Sequence, residues 1–215
     1  MSHQHQRPAS NPSLSPAEHW ERRYAGQERI WSGRVNPTLV DVVGELAPGT
    51  SIDLGCGEGG DVLWLAAQGW VARGLDISET AVGRARAEAS ARGLERATFA
   101  AMDLDAWQPE PDSADLVTAS FFQSEVALNR IEILRRAAGA LRPGGRLVTI
   151  SHAAPPSWSD HHPAHMIDVR AEVEQLGLPV EDWAVEIAEE RRRAAVGPDG
   201  APGEHLDAVL VLRRR

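Results

Sequence analysis

Lysine is missing from this sequence, because all 22 basic residues among its 215 are arginine. A Schiff-base enzyme and a Walker A nucleotide site both need the lysine amine, which arginine does not replace, so both classes are excluded. Cysteine is nearly missing as well. The single residue of this type, Cys56, excludes an intrachain disulfide and a multi-cysteine zinc site, and it agrees with a reducing compartment.

Long hydrophobic runs are also missing. No run of 18 residues is apolar throughout, and the first residues contain no apolar segment of the kind found in signal peptides. We therefore expect a cytoplasmic protein with no membrane partner. A formal net charge of −9 disfavours nucleic acid as a partner, and we expect the two arginine runs, 191–193 and 213–215, to lie at solvated strand ends.

The pattern along the chain predicts one globular domain behind a polar leader. Residues 1–16 are polar and contain several prolines, which predicts a disordered leader. Residues 17–215 predict a single domain. Within it we expect an N-terminal helical cap (17–48), a core (49–152) and a later region (153–215) with a loop, a helix and two strands.

Strands and helices alternate through the core. We predict strands near 51–54, 71–75, 97–102, 115–119 and 146–151, and helices near 60–68, 78–92 and 125–141. This alternation is typical of a parallel sheet that helices cover on both faces. The later region predicts a helix at 166–176 and strands near 183–192 and 206–213, which so short a link would pair antiparallel.

A glycine-rich turn follows the first strand, in the segment SIDLGCGEGGD at 51–61. Gly55 and Gly57 would let a ligand approach the backbone, and Asp76 at the end of the second strand is placed to hold a ribose diol. These features suit NAD equally well. The turn also contains three acidic residues, namely Asp53, Glu58 and Asp61. Their charges would repel a diphosphate and favour a ligand with an ammonium or sulfonium group.

Five motifs carry a family resemblance, and the glycine-rich turn contains the first of them. They are DLGCGEG at 53–59, GLDIS at 74–78, AMDLDAW at 101–107, DLVTASFF at 115–122 and LRPGGRLVTI at 141–150. In order and spacing they resemble the class I S-adenosylmethionine-dependent methyltransferases, over residues 36–151. The segment 20–40 is similar to a small bacterial branch with tellurite-resistance-type and thiopurine-type enzymes.

The resemblance implies an α/β fold, a donor and a set of donor-binding residues. The fold would be Rossmann-like and doubly wound, with seven strands in the order 3-2-1-4-5-7-6, the last strand antiparallel, and helices on both faces. S-adenosyl-L-methionine would be the cofactor and S-adenosyl-L-homocysteine the product. The implied binding residues are Asp53, Gly55 and Gly57 at the methionine part, Asp76 at the ribose, Ile77, Asp103 and Leu104 at the adenine, and Ser120 and Phe121 at the methyl group.

Other residues are candidates for the cover of the site and for the acceptor. Tyr24 and Trp31 could stabilise a sulfonium through their rings, or they could equally anchor the N-terminal helix. We expect Arg34, Phe121, Phe122 and His161 to contact the acceptor. His152 ends the fifth predicted parallel strand and is the candidate general base.

A metal site is not expected. Three histidines, His161, His162 and His165, are close in sequence, but Pro163 interrupts any helix that would align them, and no cysteine joins them.

We expect a methyltransferase that acts on a small molecule, with a thiol, another chalcogen or an amine as acceptor. Two alternatives stay open at this stage, a non-catalytic S-adenosylmethionine-binding regulator and an NAD-dependent oxidoreductase. The protein is expected to be a monomer or a homodimer.

Overall fold

The computed structural model of the chain describes residues 14–159 and 166–215. Within these residues seven strands form one sheet: β1 (Thr50–Leu54), β2 (Val71–Asp76), β3 (Ala97–Ala101), β4 (Ala114–Ser120), β5 (Leu141–His152), β6 (Trp183–Val196) and β7 (Pro202–Arg214). Their order is β3-β2-β1-β4-β5-β7-β6. Strands β1 to β5 run parallel, whereas β7 pairs antiparallel with both β5 and β6. The predicted fold and strand order are therefore confirmed.

Six helices lie in the same described residues: α1 (Pro16–Ala25), α2 (Pro37–Val43), α3 (Gly60–Ala67), α4 (Glu79–Ala91), α5 (Arg130–Ala138) and α6 (Val169–Leu176). Capping side chains in the sequence explain where two of these helices begin. Ser15 and Glu18 form a capping box at the start of α1, and the Asp168 carboxylate accepts two amide hydrogen bonds at the start of α6. Most of the predicted leader, residues 1–13, lies outside the described residues.

The predicted start of α5 at residue 125 is wrong, because the helix begins at Arg130. The residues before it are held in a loop by side chains. The Arg130 Nε donates to the Phe122 carbonyl at 2.9 Å, and the Ser124 hydroxyl accepts from the Val126 amide at 3.2 Å. Side-chain bonds of this kind compete with the helical backbone pattern, which the apolar periodicity alone does not reveal.

Strand β5 also starts earlier than predicted, at Leu141 instead of residue 146. Leu141 pairs with Ala114, and the register then shifts before Arg146 pairs with Leu116. The irregular stretch contains Pro143 and two glycines, which punctuate a strand and conceal its first residues from a sequence pattern. The antiparallel hairpin of β6 and β7 is likewise longer than predicted, and it closes through residues 197–201.

Apolar side chains cover the two faces of the sheet in two clusters. One cluster packs Leu134 of α5 and Leu176 of α6 against the sheet, and the other packs Leu39 of α2 and Val62 of α3 against its opposite face. The carboxyl ends of the parallel strands consequently meet at one edge between the helical layers, where ligands bind in this class of fold. Within the parts of the chain that the structure describes, no helix is long and apolar enough to cross a membrane.

Candidate active site

The glycine-rich turn after β1 has a backbone that only glycine adopts readily. Gly55 and Gly57 have φ angles of 67° and 53°, in the left-handed region. A Cβ atom at Gly57 would lie 2.9 Å from the Tyr24 hydroxyl, and one at Gly55 would lie 2.6 Å from the Phe122 ring. The turn therefore needs bare backbone on both sides, toward the N-terminal segment and toward the end of β4.

Asp76 ends β2 and is joined to the glycine turn by hydrogen bonds. Its carboxylate accepts from the Gly57 amide at 2.8 Å and from the Ser78 amide at 2.9 Å. Burial raises the pKa of Asp76, although these amide bonds act in the opposite direction. A carboxylate offers about four lone-pair sites, so Asp76 has acceptor capacity left for a ligand hydroxyl. Ile77, the predicted adenine contact, follows it and is half-buried.

Two further buried carboxylates lie close to Asp76. Asp53 accepts from the Thr118 hydroxyl at 2.6 Å, and Asp61 in the first turn of α3 accepts from the Asn36 amide at 2.7 Å. Burial and the neighbouring charge of Asp61 raise the pKa of Asp53 well above its ordinary value. Burial also raises the pKa of Asp61, against the opposing effect of the Asn36 amide and the Ser120 hydroxyl.

None of these three carboxylates, Asp53, Asp61 and Asp76, forms an ion pair with a described residue. Glu58 differs from them, although the sequence analysis grouped it with Asp53 and Asp61. It pairs with Arg84 at 2.9 Å, so the protein already compensates its charge. A ligand that brings an ammonium and a sulfonium group would supply the positive charge that the other three lack.

The N-terminal segment covers the glycine turn. The Trp31 indole N–H donates to the Tyr24 hydroxyl at 3.0 Å, and the Trp31 amide donates to Glu58 Oε2 at 3.0 Å. Tyr24 is buried, whereas Trp31 is 48% exposed and lies 5.8 Å from the Arg23 guanidinium. Both rings therefore lie against the glycine turn, and the contacts around Trp31 anchor the segment to the turn.

Glu21 is an anchor that the sequence analysis missed. Its carboxylate accepts from the hydroxyls of Ser78 and Thr80 at the start of α4, next to Asp76. These hydrogen bonds hold the pKa of Glu21 below its ordinary value. No local pattern identifies such a residue, because its partners lie more than 50 positions away.

The loop after β3 contains the two predicted adenine contacts. Asp103 is exposed and accepts from the Asp105 amide at 2.9 Å, which is an Asx turn. Leu104 is buried, and the loop is joined to the site by a 2.7 Å bond from the Met102 amide to the Asp76 carbonyl. The structure thus places Asp103 in the loop next to the end of β2, where its side chain accepts a hydrogen bond from its own loop.

The end of β4 brings the predicted acceptor residues to the same edge. Ser120 lies beside Asp61, Phe121 follows with a left-handed φ of 53°, and the Phe122 ring packs over Gly55. Arg34 is different. It is exposed, and its guanidinium donates no hydrogen bond to a described residue, so no contact brings it to the end of β4.

His152 ends β5, as predicted, and stacks on Phe121 with ring centroids 4.3 Å apart. Its Nδ1 lies 3.5 Å from the carboxylate of Asp207 on β7. The predicted contact His161 lies outside the described residues, as do His162 and His165. In the part of the chain that is described, no group of three acidic, histidine or cysteine side chains could hold a metal ion.

Asp207 and its ion-pair partner Arg193 were also missed by the sequence analysis. Arg193 was expected at a solvated strand end, but its guanidinium binds the fully buried Asp207 through two nitrogens, at 2.6 and 3.3 Å. One signal was available. Asp207 is a single charge in the otherwise apolar strand sequence LDAVLVL, and a buried carboxylate needs a cation.

Comparisons with known proteins show which family the chain resembles. Residues 52–145 match the family model described as a methyltransferase domain. Thiocyanate methyltransferase 1 of Brassica oleracea is 31% identical over 79% of this chain and 76% of its own length. The probable thiol methyltransferase 2 of Arabidopsis thaliana is 28% identical over 83% of this chain and 79% of its own length.

The solved structures agree as well. TehB from Haemophilus influenzae has a TM-score of 0.68 and 17% identity, and the match covers 91% of this chain and 67% of that one. At this identity the likeness shows the fold alone. Together with the sequence matches, it identifies the chain as a member of the class I S-adenosylmethionine-dependent methyltransferases, with S-adenosylmethionine as its cofactor.

Proposed function

We propose that this enzyme transfers the methyl group to the sulfur of a small thiol or to a similar soft chalcogen atom. The donor is held on the side of β1 and β2, which we call the donor side. Its proposed residues are Asp53, Gly55, Gly57, Asp76, Ile77, Asp103, Leu104 and Ser120, covered by Tyr24 and Trp31. The acceptor enters beside Phe121, Phe122 and His152 at the ends of β4 and β5, which we call the acceptor side.

The unpaired buried carboxylates support the proposed donor residues. Asp53 is suited to the donor ammonium and Asp76 to the ribose hydroxyls, because both accept hydrogen bonds in a site of low dielectric. When bound, the cofactor supplies an electrophilic methyl group. The residues of this chain contribute orientation and the exclusion of water, which are the main protein effects in such a displacement.

The side chains next to Phe121 are the reason for proposing a sulfur acceptor. They are polarisable rings and an imidazole, and the carboxylate beside His152, Asp207, is already paired with Arg193. A thiol with a pKa near 8.5 loses its proton readily to a base of imidazole strength, whereas an alcohol does not. The thiol and thiocyanate acceptors in the names of the two plant relatives support the same choice.

The proposal also covers the domain extent, the oligomeric state, the location and the partner of the enzyme. We expect residues 17–215 to act as one methyltransferase domain, as a monomer or a homodimer in the cytoplasm. The net charge of −9 supports a small-molecule partner over nucleic acid.

Two measurements test the proposal. Calorimetry with S-adenosylmethionine, S-adenosylhomocysteine and NAD is expected to give binding of the first two only. A labelled-donor screen over thiols, amines, phenols and inorganic chalcogen anions, thiocyanate included, is expected to give the highest kcat/KM with a sulfur acceptor.

The outcomes separate the alternatives. Micromolar NAD binding without a response to the other two compounds would support the oxidoreductase, which the sequence matches do not favour. Donor binding without turnover of any acceptor would support a non-catalytic regulator. Turnover of amines or phenols only would retain the methyltransferase and reject the sulfur acceptor.

A further inference from the structure

Four aromatic rings form a row along the acceptor side. Phe121 stacks on His152 at 4.3 Å, His152 stacks on His205 of β7 at 5.3 Å, and Trp158 meets His205 edge-on at 5.1 Å. Trp158 packs directly on the hairpin backbone, since a Cβ at Gly203 would lie 2.6 Å from its ring. The row fixes the plane of the His152 ring between two neighbours.

Asp207, held by Arg193, lies beside the Nδ1 atom of that ring. Pairing of β5 with β7 places Asp207 directly opposite His152, and pairing of β6 with β7 places Arg193 opposite His205. Asp207 Oδ2 binds Arg193 Nε at 2.6 Å, while Oδ1 lies 3.5 Å from His152 Nδ1. The guanidinium also lies 5.6 Å from the Phe121 ring. One buried carboxylate thus links the hairpin to the residue at the end of β5.

The charges of Asp207, Arg193 and His205 leave His152 as the site for a proton from the acceptor. Burial alone would raise the pKa of Asp207, but the two bonds from Arg193 and the nearby His152 ring outweigh it and hold this pKa below its ordinary value. Burial and the charge of Arg193 lower the pKa of His205, which is therefore neutral near pH 7. Arg193 balances the charge of Asp207, and His152 remains as the group beside Phe121 that can accept a proton. Its side chain is 35% exposed, so a proton can leave to solvent.

We propose that His152 is the general base for a protonated thiol acceptor and that Asp207, held by Arg193, is the residue that positions it. This inference rests on the proposed sulfur acceptor. The thiol proton moves to His152 Nε2, the nitrogen that faces away from Asp207. The thiol sulfur forms the new bond to the methyl carbon as the bond from that carbon to the sulfonium breaks, and the electron pair stays on the donor sulfur. The Asp207 carboxylate stabilises the imidazolium until it loses its proton to solvent.

Two acceptors with different proton content test the inference. 2-Mercaptoethanol arrives largely protonated at pH 7, whereas thiocyanate is an anion throughout the working pH range and needs no base. His152→Gln is expected to lower kcat/KM for 2-mercaptoethanol by about 100-fold or more, and for thiocyanate by less than about tenfold. Asp207→Asn is expected to lower the thiol value about tenfold and to leave the thiocyanate value within about twofold, because only the protonated acceptor depends on the position of His152.

A matched control uses another ion pair of the same hairpin. Arg192 and Glu204 pair at 2.8 Å across β6 and β7 and are largely exposed, so Glu204→Gln is expected to change neither kcat/KM value by more than about twofold. Binding of S-adenosylhomocysteine, measured by calorimetry, reports whether each variant is folded. If the Asp207→Asn variant does not bind S-adenosylhomocysteine, it is not folded. The ratio of the two kcat/KM values in His152→Gln then tests the inference by itself.

The results that overturn the inference are distinct from those that overturn the proposed function. Wild-type enzyme that binds the donor but methylates neither sulfur compound rejects both. Active wild-type enzyme whose His152→Gln variant loses both acceptors equally, or neither, rejects the general base alone. A larger loss for thiocyanate than for the thiol would make His152 an anion-binding residue instead.

Discussion

The donor side and the acceptor side both contain buried aspartates, but only the aspartate on the acceptor side is paired with a described cation. On the donor side, burial raises the pKa of Asp53, Asp61 and Asp76, and no described cation pairs with them. On the acceptor side, Asp207 is buried as well, yet Arg193 and His152 hold its pKa below the ordinary value. The protein thus compensates its own charge on the proposed acceptor side, and it leaves charge uncompensated on the side where we propose that a cationic cofactor binds.

The acceptor side also depends on a second internal ion pair. Arg130 and Glu172 are both buried, and they pair beneath the loop that follows β4. Arg130 donates to the Phe122 carbonyl and to the Ser151 hydroxyl, while Glu172 accepts from the Thr149 hydroxyl at 3.0 Å. This network joins α5 and α6 to the end of β5, so its loss should affect stability before it affects donor binding.

Glu172→Ala gives the largest expected effect. The substitution leaves the Arg130 guanidinium buried without its carboxylate, which costs about 3–5 kcal/mol of unfolding free energy. Urea denaturation followed by circular dichroism measures this value. Glu174→Ala on the exposed face of the same helix is the control and should cost less than about 0.5 kcal/mol. Equal losses in the two variants would show that the buried network is not what stabilises the acceptor side.

The same contrast explains how much of the site could be predicted from the sequence. Asp53, Gly55 and Asp76 lie at or next to the carboxyl ends of two neighbouring parallel strands, so they come together because these ends meet at one edge of the sheet. Asp207 meets His152 only because β7 pairs with β5 in one particular register, and a one-residue slip would turn its side chain to the other face.

The partners of individual side chains could not be predicted from the sequence either. The sequence located Glu58 in the glycine turn, yet its pairing with Arg84 depends on how α4 packs against that turn. The fold class and the strand order followed from alternation and the family resemblance, because they depend on many residues at once. Single ion pairs depend on the packing of two elements, which no local pattern contains.

Asp76→Ala tests the donor side directly. Loss of the carboxylate should weaken S-adenosylmethionine binding by about 1.5–3 kcal/mol, or roughly 10- to 150-fold in Kd, because a charge-assisted hydrogen bond to the ribose disappears. Calorimetry measures the change. Glu79→Ala, an exposed acid three residues later, is the control and should leave Kd within about twofold. Unchanged affinity in Asp76→Ala would remove this residue from the site.

Asp53→Asn is expected to have a smaller effect, which is measured as a change in melting temperature. The sign of this change should differ between the donor side and the acceptor side. The pKa of Asp53 is raised in the folded state, so folded protein binds more protons than unfolded protein between the two pKa values. Its ionisation therefore lowers stability as pH rises through that window. Asparagine keeps the acceptor oxygen for Thr118 and has no charge. Without cofactor, Asp53→Asn should melt above wild type at pH 8, and the difference should shrink toward pH 5.

Asp207→Asn should show the opposite sign in the same melting experiment. The folded-state pKa of Asp207 is lowered, so its stabilising contribution is present above the unfolded-state value and is lost only as pH falls through the folded-state value. This variant should therefore melt below wild type at pH 8 and approach it only in strong acid. If Asp53→Asn also melted below wild type at pH 8, the donor-side charge would already be compensated in the free protein, and the electrostatic difference between the two sides would be lost.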